Sequence, residues 1–252
     1  MIFGAGGHGR VVLDVLLNAS RQCAEGEGVE VVGFIDSQRA IKGRRIDGVR
    51  VLGTMEDVPR LRDELGIDAG IVAIGDNGVR RAFAEKLEAM GIELINAIHP
   101  SANIARNASL GKNIVAAAGA LVSAHCQIGD SVILNTGCIV DHESLIGTAT
   151  HVCPGARLAG RVTVESGGFV GIGATIIQNI RVGYEAVVGA GAVVIADVEP
   201  MSTVVGVPAR PIKAGPVCEE LKAWLMPEFL RNAQLAPEAE NETLKSLAAK
   251  GL

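Results

Sequence analysis

Histidines and the acids beside them are the residues of this sequence best suited to chemistry. Asp141-His142-Glu143 sets an imidazole between two carboxylates. The unperturbed pKa of histidine suits a general base near neutral pH, and a neighbouring carboxylate can orient the ring and stabilise the imidazolium. His125 precedes Glu143 by 18 residues, and His151 follows His142 by nine. A second set lies at the start of the chain, in Gly4-x-Gly6-x-x-Gly9, with Gly7 and His8 inside it. Such glycines let backbone N–H groups and a helix N-terminus approach a phosphate. Asp36 closes the next apolar run, where dinucleotide-binding domains place an acid on a ribose. Taken alone, these residues fit a bound nucleotide, an NAD-type cofactor, or a glycine turn needed only for tight packing. The position of His8 inside the turn favours a role beside the phosphate.

The acid-flanked histidine needs a scaffold, and a repeat supplies it. From residue 98 to residue 194 every sixth residue is aliphatic: of seventeen positions, sixteen are Leu, Ile or Val and one is Ala116. A helix spaces its apolar residues at three to four and an ordinary strand at two, so a strict six fits neither. Such a period marks a solenoid whose coils bury one continuous apolar column. Two positions before each aliphatic the residue is usually small, as at Ala120, Cys126, Cys138, Ser144 and Ala156. The residue after it is often glycine, as at Gly111, Gly129, Gly147 and Gly171. The pattern resembles the hexapeptide-repeat left-handed parallel β-helix, in which three hexads make one triangular coil of 18 residues. Small residues fit its corners, and glycine suits its bends. On that geometry residues 18 apart stack at about 4.8 Å. His125 then lies under Glu143, and His142 lies between Ala124 and Gly160. His151 falls half a coil further on, at a different corner. It meets the same site from a neighbouring subunit or by facing along the groove. The cysteines at small positions fill corners and lack an activating base.

Ahead of the repeat, residues 1–97 read as an α/β domain. Ile2-Phe3 ends a short strand, and Val11, Val12, Val15 and Leu16 form the apolar stripe of a helix. Strands are expected at 29–35, 50–52, 68–74 and 92–95, with helices at 54–65 and 77–90. Strands alternating with helices imply a parallel, Rossmann-like sheet. About five strands is short of the six of the doubled dinucleotide fold.

The 252 residues suit one large or two modest domains with ample core. The composition, 48% hydrophobic and 20% charged with a net charge of −5, is that of a soluble globular protein without a basic face for nucleic acid. No stretch reaches the roughly 18 apolar residues of a membrane span, and the start lacks the basic and apolar regions of a signal peptide. Five cysteines without a CxxC pair predict a reduced, cytoplasmic setting and no metal site.

Several motifs then combine in one order. They are Gly6-Gly7-His8-Gly9, the α/β domain, His99-Pro100-Ser101-Ala102 opening the repeat, Asn135-Thr136, Asp141-His142-Glu143, and Val205-Gly206-Val207-Pro208-Ala209 closing it. Together they resemble the sialic-acid and bacillosamine type of sugar acetyltransferase, over about residues 1–212. The resemblance implies a homotrimer with active sites between neighbouring β-helices, using acetyl-CoA as co-substrate and no metal. It implies that the N-terminal domain holds the nucleotide of a UDP- or GDP-linked amino sugar rather than NAD. Gly6, Gly7, His8 and Gly9 would cradle phosphate, Asp36 and Ser37 would lie near the base or ribose, and Gly75, Asp76 and Asn77 would line the same cleft. His142 would be the catalytic base, with Glu143 as its orienting partner. His151 would stand near the acetyl group, Gly160, Ile172 and Gly173 along the pantetheine, and Pro208 at the adenine end. The reaction implied is direct N-acetylation; O-acetylation of a sialic-acid-like sugar or another small hydroxyl compound is the alternative. A non-enzymatic trimeric scaffold or nucleotide sensor would require that acetyl-CoA not bind. Residues 1–97, 98–212 and 213–252 are expected as nucleotide-sugar domain, β-helix and helical extension. In the extension, helices are expected at 217–226, with Trp224 on its apolar face, and at 239–249, capping the solenoid's open end.

Overall fold

The structure, a computed structural model, describes residues 1–22 and 28–213. The expected helices of the C-terminal extension lie outside the described residues.

The N-terminal sheet is built from β1 (Ile2–Phe3), β2 (Phe34–Ile35), β3 (Arg45–Ile46), β4 (Val49–Gly53), β5 (Ala69–Val72) and β6 (Glu93–Leu94), in the order β3-β4-β2-β1-β5-β6. All neighbours are parallel except β3 and β4. Ile2, Phe3, Phe34, Ile35, Ile71 and Val72 are almost completely buried, as expected of strands covered on both faces. Helix α1 (Gly7–Ser20) covers one face with Val12, Val15 and Leu16. Helices α2 (Val58–Leu65) and α3 (Asn77–Ala89) cover the other with Val58, Leu61, Ala84 and Leu87.

The sheet has six strands where about five are expected. The extra one, β3, is joined to β4 by Asp47-Gly48, both at positive φ (48° and 86°), the conformation a two-residue hairpin requires. The strand expected at 29–35 narrows to its last two residues, and Val29 and Val32 stay exposed. The helix expected at 54–65 opens as a 3-10 turn, Met55–Asp57, under a reciprocal Thr54–Asp57 capping box, before α2 begins.

From Ala97 onward the chain winds as a three-sided parallel β-helix of two-residue strands. The first face runs from Ala97–Ile98 through Val115–Ala116, Ile133–Leu134, His151–Val152 and Phe169–Val170 to Val187–Val188. The second runs from Asn103–Ile104 to Val193–Val194, and the third from Ser109–Leu110 to Arg181–Val182. Each strand pairs with the one 18 residues on, as Leu121 with Ile139 and Ile139 with Arg157. The column of sixes points inward, and from Ala116 to Val194 its members are at most 3% exposed. The small residues two positions earlier are buried with them, including Ser144 and Thr150.

One expectation about glycine is corrected. The bends fall three residues after each aliphatic, not one. One corner is a column of glycines at positive φ: Gly119, Gly137, Gly155, Gly173 and Gly191. The other two corners put side-chain residues in the same left-handed state, His125, Glu143, Arg161 and Asn179 on one, and Asn113, Ser131 and Ala149 on the other. The glycines directly after the aliphatics answer to crowding. A Cβ on Gly129, Gly147 or Gly171 would stand 2.8, 2.5 or 2.7 Å from a backbone nitrogen of the next coil.

The first face also carries the N-terminal domain. Ala97, Val115 and Ile133 share a core with α1 and with Ile2, Phe34 and Ile71.

Candidate active site

His142 sits on the corner between the second and third faces. Its backbone N–H is accepted by Asp141 Oδ1 at 2.7 Å, and its carbonyl accepts from Arg161 N at 2.8 Å. Its Nδ1 lies 3.0 Å from Glu143 Oε2, and Arg161 Nε is 4.0 Å from the same oxygen. The ring is about half exposed and lies over Gly160, as the 18-residue spacing predicts. A Cβ at Gly160 would fall 2.5 Å from both Cε1 and Nε2. The contact with Glu143 occupies Nδ1 and leaves Nε2, on the Gly160 side, as the other ring nitrogen. His125 joins the same corner, but its Nε2 pairs with Asn107 Nδ2 at 3.1 Å, one coil below, rather than with His142. A solvated, hydrogen-bonded role fits it better than a catalytic one.

The glycine turn forms a second centre. Gly6 and Gly7 are exposed, and a Cβ on either would meet no atom within 4 Å, so packing does not require glycine there. Gly9 has a packing reason, since a Cβ there would fall on the Gly4 carbonyl. Gly6 caps α1 with no side-chain hydrogen bond, leaving the first N–H groups of the helix open. Asp36 accepts from Ala5 N at 2.8 Å and Gln38 N at 2.9 Å, so it holds the turn in shape as well as edging it. Ser37 follows it at the exposed rim.

His8 faces His151 across this cleft, with ring centroids 6.5 Å apart, and His151 meets Phe169 edge-on at 5.4 Å. His151 is not at a corner, as expected, but opens a first-face strand, and so it stands with His8 rather than with His142 of its own chain. Its Nε2 lies 3.0 Å from Asn135 Nδ2, and its Nδ1 is buried with no hydrogen-bond partner among the described residues. His8 Nε2 is buried and meets no partner among the described residues. Burial pushes both rings down to about 4, helped by Arg80 and, for His8, by His151. Both are therefore neutral at physiological pH.

Residues 75–77 line a cavity of about 380 Å³ whose other walls include Arg81, Phe169, Glu185 and Val187, and no residue of the glycine turn is among its walls. Asp76 and Asn77 also have structural duties there. Asp76 caps α3 by accepting from Val79 N at 2.8 Å, and Asn77 Nδ2 donates to the carbonyls of Gly167 and Gly168 at 2.9 and 3.2 Å.

The N-terminal residues 1–87 match the family model described as the PglD N-terminal domain. PerB from Caulobacter crescentus, solved in complex with CoA and GDP-perosamine, is 37% identical, with a TM-score of 0.77, over 83% of this chain and 95% of its own. The acetyltransferase domain of PglB from Neisseria gonorrhoeae, solved with acetyl coenzyme A, is 34% identical, with a TM-score of 0.74, over 84% and 97%. The chain belongs to the hexapeptide-repeat sugar N-acetyltransferase family. WeeI from Acinetobacter baumannii, 24% identical with a TM-score of 0.69 over 84% and 98%, shares the fold. No curated protein sequence matches.

The family is acetyl-CoA-dependent, and its β-helix is left-handed. In this acetyltransferase Ile172 is 61% exposed beside Gly173, on the glycine corner between the first and second faces. Pro208 stands in the turn between Thr203–Val205 and Arg210–Lys213, next to exposed Val207. Ile172, Gly173 and Pro208 are thus exposed at a corner and an end of the solenoid, whereas Gly160 is buried against the His142 ring. Among the described residues no group of His, Cys, Asp or Glu side chains is arranged to hold a metal ion, and no helix is long and apolar enough to cross a membrane. Burial raises the thiols of Cys138 and Cys153 to about 12 and 11, which keeps them protonated and poor nucleophiles.

The residue that sequence reasoning missed is Arg80. On α3 it reads as an ordinary helix-surface cation, yet it is fully buried between the two centres of the fold. Its acceptors are mostly backbone carbonyls, which leave no mark in a sequence.

Proposed function

We propose that this sugar acetyltransferase moves the acetyl group of acetyl-CoA to the amino group of a nucleotide-linked amino sugar, with His142 as general base. The observation that carries the reading is the His142–Glu143 pair over Gly160. With Nδ1–H donating to Glu143, the Nε2 lone pair is left to accept a proton. The neutral sugar amine attacks the thioester carbonyl, and Nε2 takes the proton the nitrogen sheds. Collapse of the tetrahedral intermediate breaks the C–S bond. The imidazolium, balanced by Glu143, returns the proton to the departing CoA sulfur. A backbone N–H beside the ring, such as that of Gly160, would face the oxyanion.

The acceptor's diphosphate is assigned to the open N–H groups at Gly6, Gly7 and His8, its ribose or base to the edge at Asp36 and Ser37, and its sugar to the side of Gly75, Asp76 and Asn77. The strand order supports this line, because β2, β1 and β5 are adjacent and end at these three places in turn. The relative solved with GDP-perosamine makes GDP the first nucleotide to test and UDP the second. The pantetheine arm is assigned to Gly160, Ile172 and Gly173, with His151 toward the acetyl end and Pro208 toward the adenine.

A homotrimer completes the reading. The corner that carries His142 is the vertex opposite the first face, and the first face carries the cleft with His8 and His151. One chain does not bring the two together, whereas a neighbouring copy would. His142→Ala is expected to lower kcat by roughly 10²–10⁴, the range for loss of a general base, while acetyl-CoA binding by calorimetry stays intact. Near-normal turnover in that variant would remove His142 from the mechanism.

A further inference from the structure

Arg80 lies at the start of α3, and its guanidinium donates to two sets of acceptors. Three belong to residues 74–77: the carbonyls of Ile74 and Gly75, at 3.0 and 3.1 Å, and Asn77 Oδ1 at 2.8 Å. Three belong to the solenoid: the carbonyls of Ser131 at 2.7 Å, Ala149 at 2.8 Å and Thr150 at 3.3 Å. Ser131 and Ala149 are left-handed corner residues one coil apart. A single planar fork therefore ties the loop after β5 to two successive coils. Among the described residues no carboxylate is hydrogen-bonded to it.

We propose that Arg80 is a positioning residue for the sugar nucleotide: it fixes residues 74–77 against the solenoid, and so sets acceptor affinity without touching the acceptor. The proposal rests on the reading of this cleft as the nucleotide-sugar site. The choice of arginine follows from the geometry. A lysine ammonium is a point charge with three donors and cannot span acceptors on both sides, whereas the guanidinium presents five N–H groups in a rigid plane. Burial lowers Arg80 to about 10, against the opposing pull of Asp76, so it stays cationic at neutral pH. The charged and titratable groups around it are Asp76, His8 and His151, and its charge is one of the causes that keep both rings neutral.

The test is Arg80→Lys in the full-length enzyme. The KM for the nucleotide sugar is expected to rise tenfold or more, with the Kd for acetyl-CoA changed less than twofold. A parallel loss of both affinities, or activity that merely tracks the folded fraction by circular dichroism, overturns the proposal. If Arg80→Lys does not fold, Asn77→Ser and Asn77→Asp are compared: both lose the Nδ2 bonds to Gly167 and Gly168, and the aspartate alone keeps a carboxyl oxygen at the place of Oδ1 for Arg80. A rise of about threefold in the same KM for Asn77→Ser that Asn77→Asp largely reverses supports the clamp, and equal KM values in the two variants overturn it. Calorimetry on the wild-type enzyme separates this from the underlying reading. If acetyl-CoA binds but neither GDP nor UDP does, the site assignment fails before Arg80 is altered.

Discussion

His142 owes its setting to two neighbours in sequence and one in space. Asp141 accepts its backbone N–H, Glu143 fixes its ring, and the missing side chain of Gly160 gives the ring somewhere to lie. The first two can be read directly from three consecutive letters. The third follows once the 18-residue coil is known, because 142 and 160 are one coil apart. Gly160→Ala is therefore expected to push the imidazole off its position and lower kcat by about 10²-fold, the cost of roughly an ångström of misplacement. Far-ultraviolet circular dichroism should be unchanged. Wild-type kcat in that variant would show that the ring has room elsewhere. His8 and His151 carry a different lesson. Their types are legible in the sequence, but their meeting across the cleft depends on how the N-terminal domain docks on the first face, which no local pattern records. The place of His151 on a strand, by contrast, was legible, because it directly precedes the inward Val152 of the period.

Among the elements, the solenoid was the most legible, because a parallel ladder with a fixed register forces the same inward position in every strand. What the period did not reveal is why particular glycines are needed. The glycine that follows an inward aliphatic lies under the backbone of the next coil, so its constraint comes from a residue 18 or 19 places away. Gly171→Ala would set a Cβ 2.7 Å from Ala190 N. Overpacking of this kind is expected to cost about 1–3 kcal/mol and lower Tm by several degrees. Thermal unfolding of that variant beside Gly173→Ala, which meets no atom within 4 Å but has a positive φ, separates crowding from backbone strain. An unchanged Tm for Gly171→Ala would show that the coils can spread. In the N-terminal sheet, β3 escaped notice because a two-residue strand with Arg45 in it has no apolar alternation, although Asp47-Gly48 was a hairpin signal. Asn96, Asn113 and Arg80 escaped for a shared reason. They serve backbone atoms across the boundary between domain and solenoid, as when Asn113 Oδ1 accepts from Val72 N at 2.7 Å.

For the whole molecule, docking of the N-terminal domain is where acidity should act. In the unfolded chain the rings of His8 and His151 protonate near 6.5, and in the folded protein at about 4. Between those values the unfolded state binds more protons, so stability falls as pH drops from about 6.5 toward 4, and above 6.5 these rings add no slope. At pH 5 the expected loss is about 2 kcal/mol per ring. Urea denaturation at pH 7 and pH 5 measures it, and a His8→Gln, His151→Gln double variant should flatten the difference. Equal pH dependence in wild type and double variant would remove the two rings as its source.

Gly160 and His142 also bind each other's histories. The ring occupies the volume that a Cβ at position 160 would need. In diverging descendants of this chain, any side chain at the coil position above should appear with a smaller residue in place of the histidine. A lineage that loses the ring would then free the glycine to vary, so an aligned pair of substitutions at these two positions marks relatives in which the proposed base is gone while the scaffold is kept.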